Sequence, residues 1–170
     1  MKKKVYLAGG MEKAEALGAG WRLAITPKLE LMGFEVFDPV KLEKDKIARF
    51  PKHELPTEFL NEKTNKMEEL RHWHQLKFAK SDDLKAIFKE YMEVIIRFDL
   101  NIVDQMTHII CLWDSSAQNG AGTSSELTWA YMGNKKVYTV ATCELPGWAS
   151  GCCNGVFDNF EDLYKHLEQE

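Results

Sequence analysis

The hydrophobic pattern of the chain alternates between short apolar runs and longer stretches with helical spacing. Runs of four to six residues rich in β-favouring side chains predict five strands, at 4–8, 34–37, 108–113, 135–140 and 154–157. Apolar positions three or four residues apart predict helices at 21–32, from about 123 onward, and at 160–167. Strands that alternate with helices in this way are typical of a parallel sheet.

A charged segment at 41–90 separates the second predicted strand from the third and is too long for an ordinary crossover. Its composition predicts two helices, at 57–79 and 82–104. The second has a clear start at Ser81 and Asp82. We therefore expect a helical insertion, and we interpret it as a lid that keeps water from a reaction site.

The predicted fold is α/β, a doubly wound, flavodoxin- or Rossmann-like parallel sheet of about five strands in the order 2-1-3-4-5. The helical insertion lies between strands 2 and 3. A length of 170 residues suits a single domain over 1–170.

Composition narrows the classes of function. A net charge of -4 disfavours a nucleic acid polymer as partner. No run approaches the roughly 18 apolar residues of a membrane span, and the N-terminus has no apolar core of a secretion signal, so we expect a cytoplasmic protein. The four cysteines form no C-x-x-C pair, which predicts free thiols in a reducing compartment.

The stretch from Asp114 to Tyr131 is the most informative part of the sequence. It leads from a buried strand through a glycine turn into a helix that carries Glu126. Ligands of open parallel sheets bind at this edge, and the dipole of the helix would favour an ionised carboxylate there, as suits a nucleophile. An alternative is that residues 123–126 form a capping box, in which Thr123 and Glu126 only satisfy backbone amides.

Other nucleotide and metal motifs are absent from the sequence. Gly18 and Gly20 resemble the opening of a dinucleotide fingerprint, but the third glycine is missing and no Walker loop is present. His72 and His74 are two residues apart, so on a helix they would point to different sides and would not share a metal ion.

Five short motifs, taken in order, resemble the nucleoside 2-deoxyribosyltransferase family. The resemblance covers most of the chain outside 41–90. The motifs are Tyr6-Leu7-Ala8-Gly9, Gly20-Trp21-Arg22, the run from Gly33 to Pro39, the run from Asp99 to Val103, and the run from Gly122 to Ala130.

The resemblance implies a retaining displacement at C1′ of a 2′-deoxynucleoside, without metal or organic cofactor. Glu126 matches the family's nucleophile, Asp99 its aspartate that holds the sugar and assists near the base, and Tyr6 the tyrosine that orients the glutamate. The glycine loops would form the floor of the sugar pocket; their residues are Gly9, Gly10, Gly122 and Thr123.

One position departs from the family pattern. Many members have an aspartate six residues before the nucleophile that contacts the base, whereas this chain has Gly120. Asp114 and Asn119 are candidates to replace it, although both are also common turn residues. Arg22 is a candidate for binding a ligand anion, and the alternative is a surface salt bridge.

The implied partners are a nucleoside or nucleotide, a free base and further copies of the chain. Related nucleotide hydrolases hold a 5′-phosphate in the loop after the first strand, where this chain has Glu12, so nucleosides are favoured; Lys13 and Arg22 keep monophosphates open. The family tends to complete its sites with C-terminal residues of a neighbouring subunit, which predicts a homo-oligomer, dimer or higher. The candidate residues for that role are Trp148, Cys152, Cys153 and Asn154, and the alternative is that this stretch only caps the sheet.

Three other functions stay open on the sequence alone. The first is an N-glycoside hydrolase of nucleosides or their monophosphates that uses the same residues with water as acceptor. The second is a non-catalytic nucleotide-binding module, which Gly120 suggests. The third is a flavodoxin-like protein in which Glu126 only caps its helix.

Overall fold

A computed structural model describes residues 2–11 and 14–170 of the chain. Five strands form a parallel sheet in the order β2-β1-β5-β6-β7, and two others form an antiparallel hairpin. Counted along the chain, the five strands of the sheet have the predicted order 2-1-3-4-5, so the predicted fold class is confirmed. The strands are β1 (Lys3–Gly9), β2 (Phe34–Phe37), β3 (Glu58–Asn61), β4 (Lys66–Glu69), β5 (His108–Trp113), β6 (Lys136–Ala141) and β7 (Gly155–Phe157).

Helices cover both faces of the sheet. Along β1, Tyr6 and Ala8 pack on one side with residues of α3, α5 and α6, whereas Val5 and Leu7 pack on the other side with residues of α1 and α7. In the part of the chain that is described, no helix is both long and apolar enough to cross a membrane. The helices are α1 (Ala19–Leu31), α2 (Glu43–Ile47), α3 (Asp82–Gln105), α4 (Ser115–Gln118), α5 (Ala121–Met132), α6 (Gly147–Gly151) and α7 (Phe160–Leu167).

The chain divides into two compact units. The first consists of the described residues up to Glu43 together with Asp99–Glu170 and contains the parallel sheet. The second, Lys44–Phe98, has a core of its own, in which Trp73, Leu76 and Tyr91 are buried and Phe50 stacks on Tyr91. The predicted insertion thus has a compact core of its own.

The insertion is less helical than the sequence suggested. The predicted helix at 57–79 is wrong, because this segment forms the β3–β4 hairpin and a 3-10 segment at Trp73–Phe78. Asn61 accepts hydrogen bonds from two amides of the hairpin turn, and Asn65 adopts the left-handed conformation with φ 51°. These are the properties for which asparagine is favoured in turns. The predicted helix at 82–104 is confirmed as α3.

Candidate active site

A tyrosine on β1 and a glutamate on α5 meet through a short hydrogen bond. Tyr6 lies in the middle of β1 and is fully buried, while Glu126 lies in the second turn of α5 and is half-buried. The Tyr6 hydroxyl donates to Oε1 of Glu126 over 2.6 Å. Hydrogen bonds to an ionised acceptor are shorter and stronger than neutral ones, so this contact fixes the orientation of the carboxylate.

Asp99 belongs to the same neighbourhood. It is half-buried on α3, and its charge lies close enough to act on Tyr6. Burial raises the pKa of Tyr6 well above its ordinary value, and the charges of Glu126 and Asp99 raise this pKa further. Tyr6 therefore remains a protonated hydrogen-bond donor throughout the neutral and moderately alkaline range.

Helix α5 begins earlier than the capping-box alternative requires. Its N-cap is Gly120, without a side-chain hydrogen bond, and Thr123 is already inside the helix and buried. Thr123 is thus not the N-cap of a box that includes Glu126. The expected dipole effect on Glu126 needs correction as well, because Glu126 is the sixth residue of the helix and the effect fades within the first turn.

Gly10, directly after β1, lies against the start of α4. A Cβ atom built on Gly10 would lie 2.0 Å from the side-chain oxygen of Ser116 and 2.7 Å from the amide of Ala117. Only glycine permits this close approach of two backbones. The predictions for Glu12 and Lys13 in this loop fall outside the described residues.

The two candidates to replace the missing aspartate are engaged in local structure. Asp114 is the N-cap of α4 and accepts hydrogen bonds from the amides of Ser116 and Ala117 at 2.9 and 3.0 Å. The amide nitrogen of Asn119 donates to the Ser115 carbonyl at 2.7 Å. Of the other candidates, Thr123 is buried in the first turn of α5, where Gly122 is exposed.

Arg22 is buried, in contrast to the expectation of a surface salt bridge. Its guanidinium donates to main-chain carbonyls and lies 3.8 Å from Oδ1 of Asp38, which is buried too. Burial lowers the pKa of Arg22, and the Asp38 carboxylate acts in the opposite direction. In the sequence, Asp38 was interpreted only as the end of a strand. Its position before Pro39, at the carboxyl end of β2, could have indicated that it belongs to the site, because ligands bind at this edge of a parallel sheet.

A second residue that sequence reasoning left out is Cys111 on β5, beside Ala8 in the sheet. Burial raises the pKa of its thiol well above the ordinary value, and the charge of Glu126 raises this pKa further. A thiol that stays protonated is a weak nucleophile, so Cys111 does not compete with Glu126 for that role.

The C-terminal candidates are spread over different environments. Trp148 is 73% exposed, and its indole nitrogen donates to the Thr128 hydroxyl on α5. Cys152 is buried, Cys153 is half-buried, and the side-chain oxygen of Asn154 accepts from the amide of Val137. Among the described residues, no three His, Cys, Asp or Glu side chains are grouped so that they could hold a metal ion.

Fold and site together define a doubly wound α/β protein with a tyrosine–carboxylate pair held between strand β1 and helix α5. No protein-family model matches the chain, and no curated protein matches its sequence. Solved structures do match. One is the 2-deoxyribosyltransferase of Bacillus psychrosaccharolyticus, at 16% identity over 96% of this chain and 95% of that chain, with a TM-score of 0.52.

Another is the CMP N-glycosidase BcmB of Clostridium botulinum, at 13% identity over 98% of this chain and 99% of that chain, with a TM-score of 0.46. At 16% identity, the likeness to the deoxyribosyltransferase establishes that the two chains share a fold. The reaction has to be argued from the site itself.

Proposed function

We propose that this protein is a nucleoside 2-deoxyribosyltransferase-like enzyme of nucleoside salvage. It cleaves the N-glycosidic bond of a 2′-deoxynucleoside through a covalent glycosyl-enzyme and transfers the deoxyribose to another base. The observation that carries this proposal is the 2.6 Å hydrogen bond from Tyr6 to Glu126, with Asp99 close by. The fold shared with a 2-deoxyribosyltransferase supports it.

In the first half of the reaction, a Glu126 oxygen attacks C1′ as the C1′–N bond breaks and its electron pair leaves with the base. The transition state resembles an oxocarbenium ion, which the carboxylate stabilises before it forms the ester. Tyr6 holds Oε1 and thereby orients the carboxylate for the attack. In the second half, a nitrogen of the incoming base attacks C1′ and Glu126 leaves, so that configuration is retained.

The departing base needs a proton, and we assign this role to Asp99. Asp114 and Asn119 hold the start and end of α4, whereas Asp99 is the second carboxyl group whose charge acts on Tyr6. Asp99 gives a proton to the leaving base and takes one back from the incoming base, and it also binds the sugar. The sugar pocket is lined by backbone of Gly9, Gly10, Gly122 and Thr123.

A hydrolase is the second candidate function. Glu126 and Asp99 are both half-buried rather than sealed in the core, so water can approach the ester. Water in place of the second base would give free deoxyribose, or the sugar phosphate from a monophosphate. For the substrate we favour nucleosides over monophosphates because of Glu12 in the β1–α1 loop.

We further propose that the enzyme is a homo-oligomer whose subunits meet through one face of α5 and α6. Four large apolar side chains are exposed there: Trp129, Tyr131, Met132 and Trp148, at 44%, 56%, 72% and 73%. At about 200 Å² per side chain, this exposed surface amounts to roughly 500 Å². An interface of standard size buries about 800 Å² per partner, of which somewhat more than half is apolar, so the patch has the extent that a dimer needs.

The surroundings of this patch favour a second copy of the chain as its occupant. The residues lining its two shallow pockets carry no charged side chain, and serines, threonine and glycines are among them. Self-association about a two-fold axis therefore brings no like charges together among these lining residues, and the Asp104 carboxylate beside the face accepts a hydrogen bond from the Trp129 indole nitrogen. Trp148 also bonds to Thr128, half a turn beyond Glu126, which links the face to the nucleophile's helix.

The test of the reaction is a chromatographic assay with a panel of 2′-deoxynucleosides and their monophosphates, with and without a second free base. The variants Glu126→Ala and Glu126→Gln are assayed alongside Glu30→Gln, an exposed glutamate on α1. A new nucleoside that forms in wild type and in the control, and is lost in both Glu126 variants, supports the transferase.

Other outcomes of this assay separate the alternatives. Release of base without exchange supports the hydrolase. Ligand binding without any product supports a non-catalytic module. If Glu126→Ala still forms product, the assignment of Glu126 as the nucleophile is wrong.

A further inference from the structure

The guanidinium group of Arg22 is fully buried beside the carboxyl end of β1, and its donors face main-chain carbonyls. Nε donates to Leu7 at 3.2 Å, and one terminal nitrogen donates to Gly9 at 3.0 Å. The other terminal nitrogen donates to Leu17 and Gly18 at 3.1 and 3.0 Å. One side chain thus ties the end of β1 to the residues that immediately precede α1.

The segment that Arg22 holds has a strained backbone. Ala16, Leu17 and Gly18 adopt left-handed conformations with φ of 46°, 57° and 71°. Left-handed conformations are unfavourable for residues other than glycine and persist where the surroundings impose them. The hydrogen bonds from Arg22 to the carbonyls of Leu17 and Gly18 are such a constraint, and a Cβ on Gly18 would lie 2.7 Å from the guanidinium.

The use of a buried arginine to hold a loop carries a large desolvation cost. A buried charge is costly to desolvate, and here it is paired over 3.8 Å with the Asp38 carboxylate, which is buried too. The position of the charge gives a reason for its use, because the Arg22 cation interacts with Tyr6 and with Glu126. A cation close to Glu126 stabilises the ionised form of its carboxylate.

We propose that Arg22 is a positioning residue with two roles: its guanidinium fork holds residues 16–18 against the end of β1 in the conformation that binds substrate, and its charge supports ionised Glu126. The inference rests on the proposed function, and it adds a residue that does not itself touch the substrate. The planar fork serves the first role and any cation serves the second, so conservative substitutions separate them.

The experiment compares Arg22→Lys, which keeps the charge and loses the fork, with Arg22→Met, which loses both. Lys28→Met on the exposed face of α1 is the control. Thermal denaturation and circular dichroism establish folding. Kinetics with a 2′-deoxynucleoside and a free base are measured as a function of pH, and hydrogen exchange is followed at the amides of residues 14–18.

In Arg22→Lys we expect faster exchange over 14–18 and a KM raised about tenfold, with the acidic limb of kcat/KM near its wild-type position. In Arg22→Met this limb moves to higher pH in addition, because Glu126 loses a neighbouring cation. If Arg22→Met fails to fold, Arg22→Lys still tests the loop role by exchange and KM. A folded Arg22 variant with wild-type exchange and kinetics would overturn the inference.

The two proposals fail in different ways. If wild-type protein turns over no nucleoside, the proposed function is wrong, and exchange over 14–18 in the Arg22 variants still decides whether the loop depends on this arginine. If wild type is active and neither KM nor the acidic limb responds to the folded Arg22 variants, Arg22 is not a positioning residue.

Discussion

At the scale of single residues, the contact between Tyr6 and Glu126 follows from the positions of their elements in the fold. Tyr6 and Glu126 are 120 residues apart, but Tyr6 lies on β1 and Glu126 follows β5, the strand beside β1 in the sheet. Chain order and parallel pairing are therefore sufficient to bring them together. Arg22 was misjudged, because nothing in its position along the helix shows that its side chain turns toward backbone carbonyls.

Replacement of Tyr6 by phenylalanine tests this pair. The loss of a hydrogen bond to a charged group costs about 1.5–3 kcal/mol, so we expect kcat to fall by about 10- to 150-fold. Without this donor the pKa of Glu126 rises and the acidic limb of kcat/KM moves to higher pH. The alkaline limb stays in place, because the pKa of Tyr6 lies well above the ordinary value. Tyr164→Phe, on α7 at the opposite side of the sheet, is the control.

His74 gives a prediction about stability. Burial, assisted by the charge of His72, lowers the pKa of His74 from 6.5 to about 4. The unfolded chain thus binds a proton more readily than the folded one between these values, and the stabilisation present above pH 6.5 is lost as pH falls toward 4. We expect His74→Gln to flatten the fall of the melting temperature over this range. His166→Gln is the control variant. If the melting temperature of His74→Gln falls as steeply with decreasing pH as that of wild type, the prediction is refuted.

At the scale of elements, apolar runs predicted the parallel strands well because their burial on both faces leaves a continuous hydrophobic signal. The closing helix α7 was predicted with its observed bounds, since its buried residues lie at helical spacing. The β3–β4 hairpin was missed because β4, Lys66–Glu69, has no fully buried residue and reads as a polar helix. The short helix α4 was also missed, because four residues are too few to show a helical spacing of apolar positions.

The insertion offers a test at this scale of its proposed role as a lid. Leu76 is fully buried in the core of the second unit, and its replacement by alanine costs about 2–5 kcal/mol. If the insertion limits the access of water to the glycosyl-enzyme, Leu76→Ala raises the share of hydrolysis relative to transfer. Met67→Ala, at a side chain that is 60% exposed, leaves the ratio as in wild type. An unchanged ratio in Leu76→Ala would count against a lid.

At the scale of the whole molecule, the exposed apolar face on α5 and α6 is the feature that most clearly indicates a binding partner. Exposed contiguous apolar surface of this size marks an interaction site in soluble proteins. The sequence implied an oligomer through family resemblance only, because it does not show which side of α5 faces outward. The exposed fractions of Trp129, Met132 and Trp148 supply that information.

Sedimentation tests the proposed assembly. A wild-type dimer has twice the 19.6 kDa mass of the chain, and Met132→Glu places a charge on the face of both copies, so we expect this variant to be monomeric. Leu31→Glu, at a side chain that is 87% exposed on α1, should leave the assembly intact. A monomeric wild type at assay concentrations, or an effect of equal size in both variants, would contradict the proposal.

The contact between Gly10 and Ser116 also limits how the specificity of this protein can be changed. A side chain at position 10 would collide with backbone as well as with the serine, so shortening residue 116 alone does not make room. An engineer who wishes to add a phosphate-binding hydroxyl near the sugar therefore has to place it elsewhere in the loop. In a library of random variants, position 10 will therefore tolerate almost no residue other than glycine.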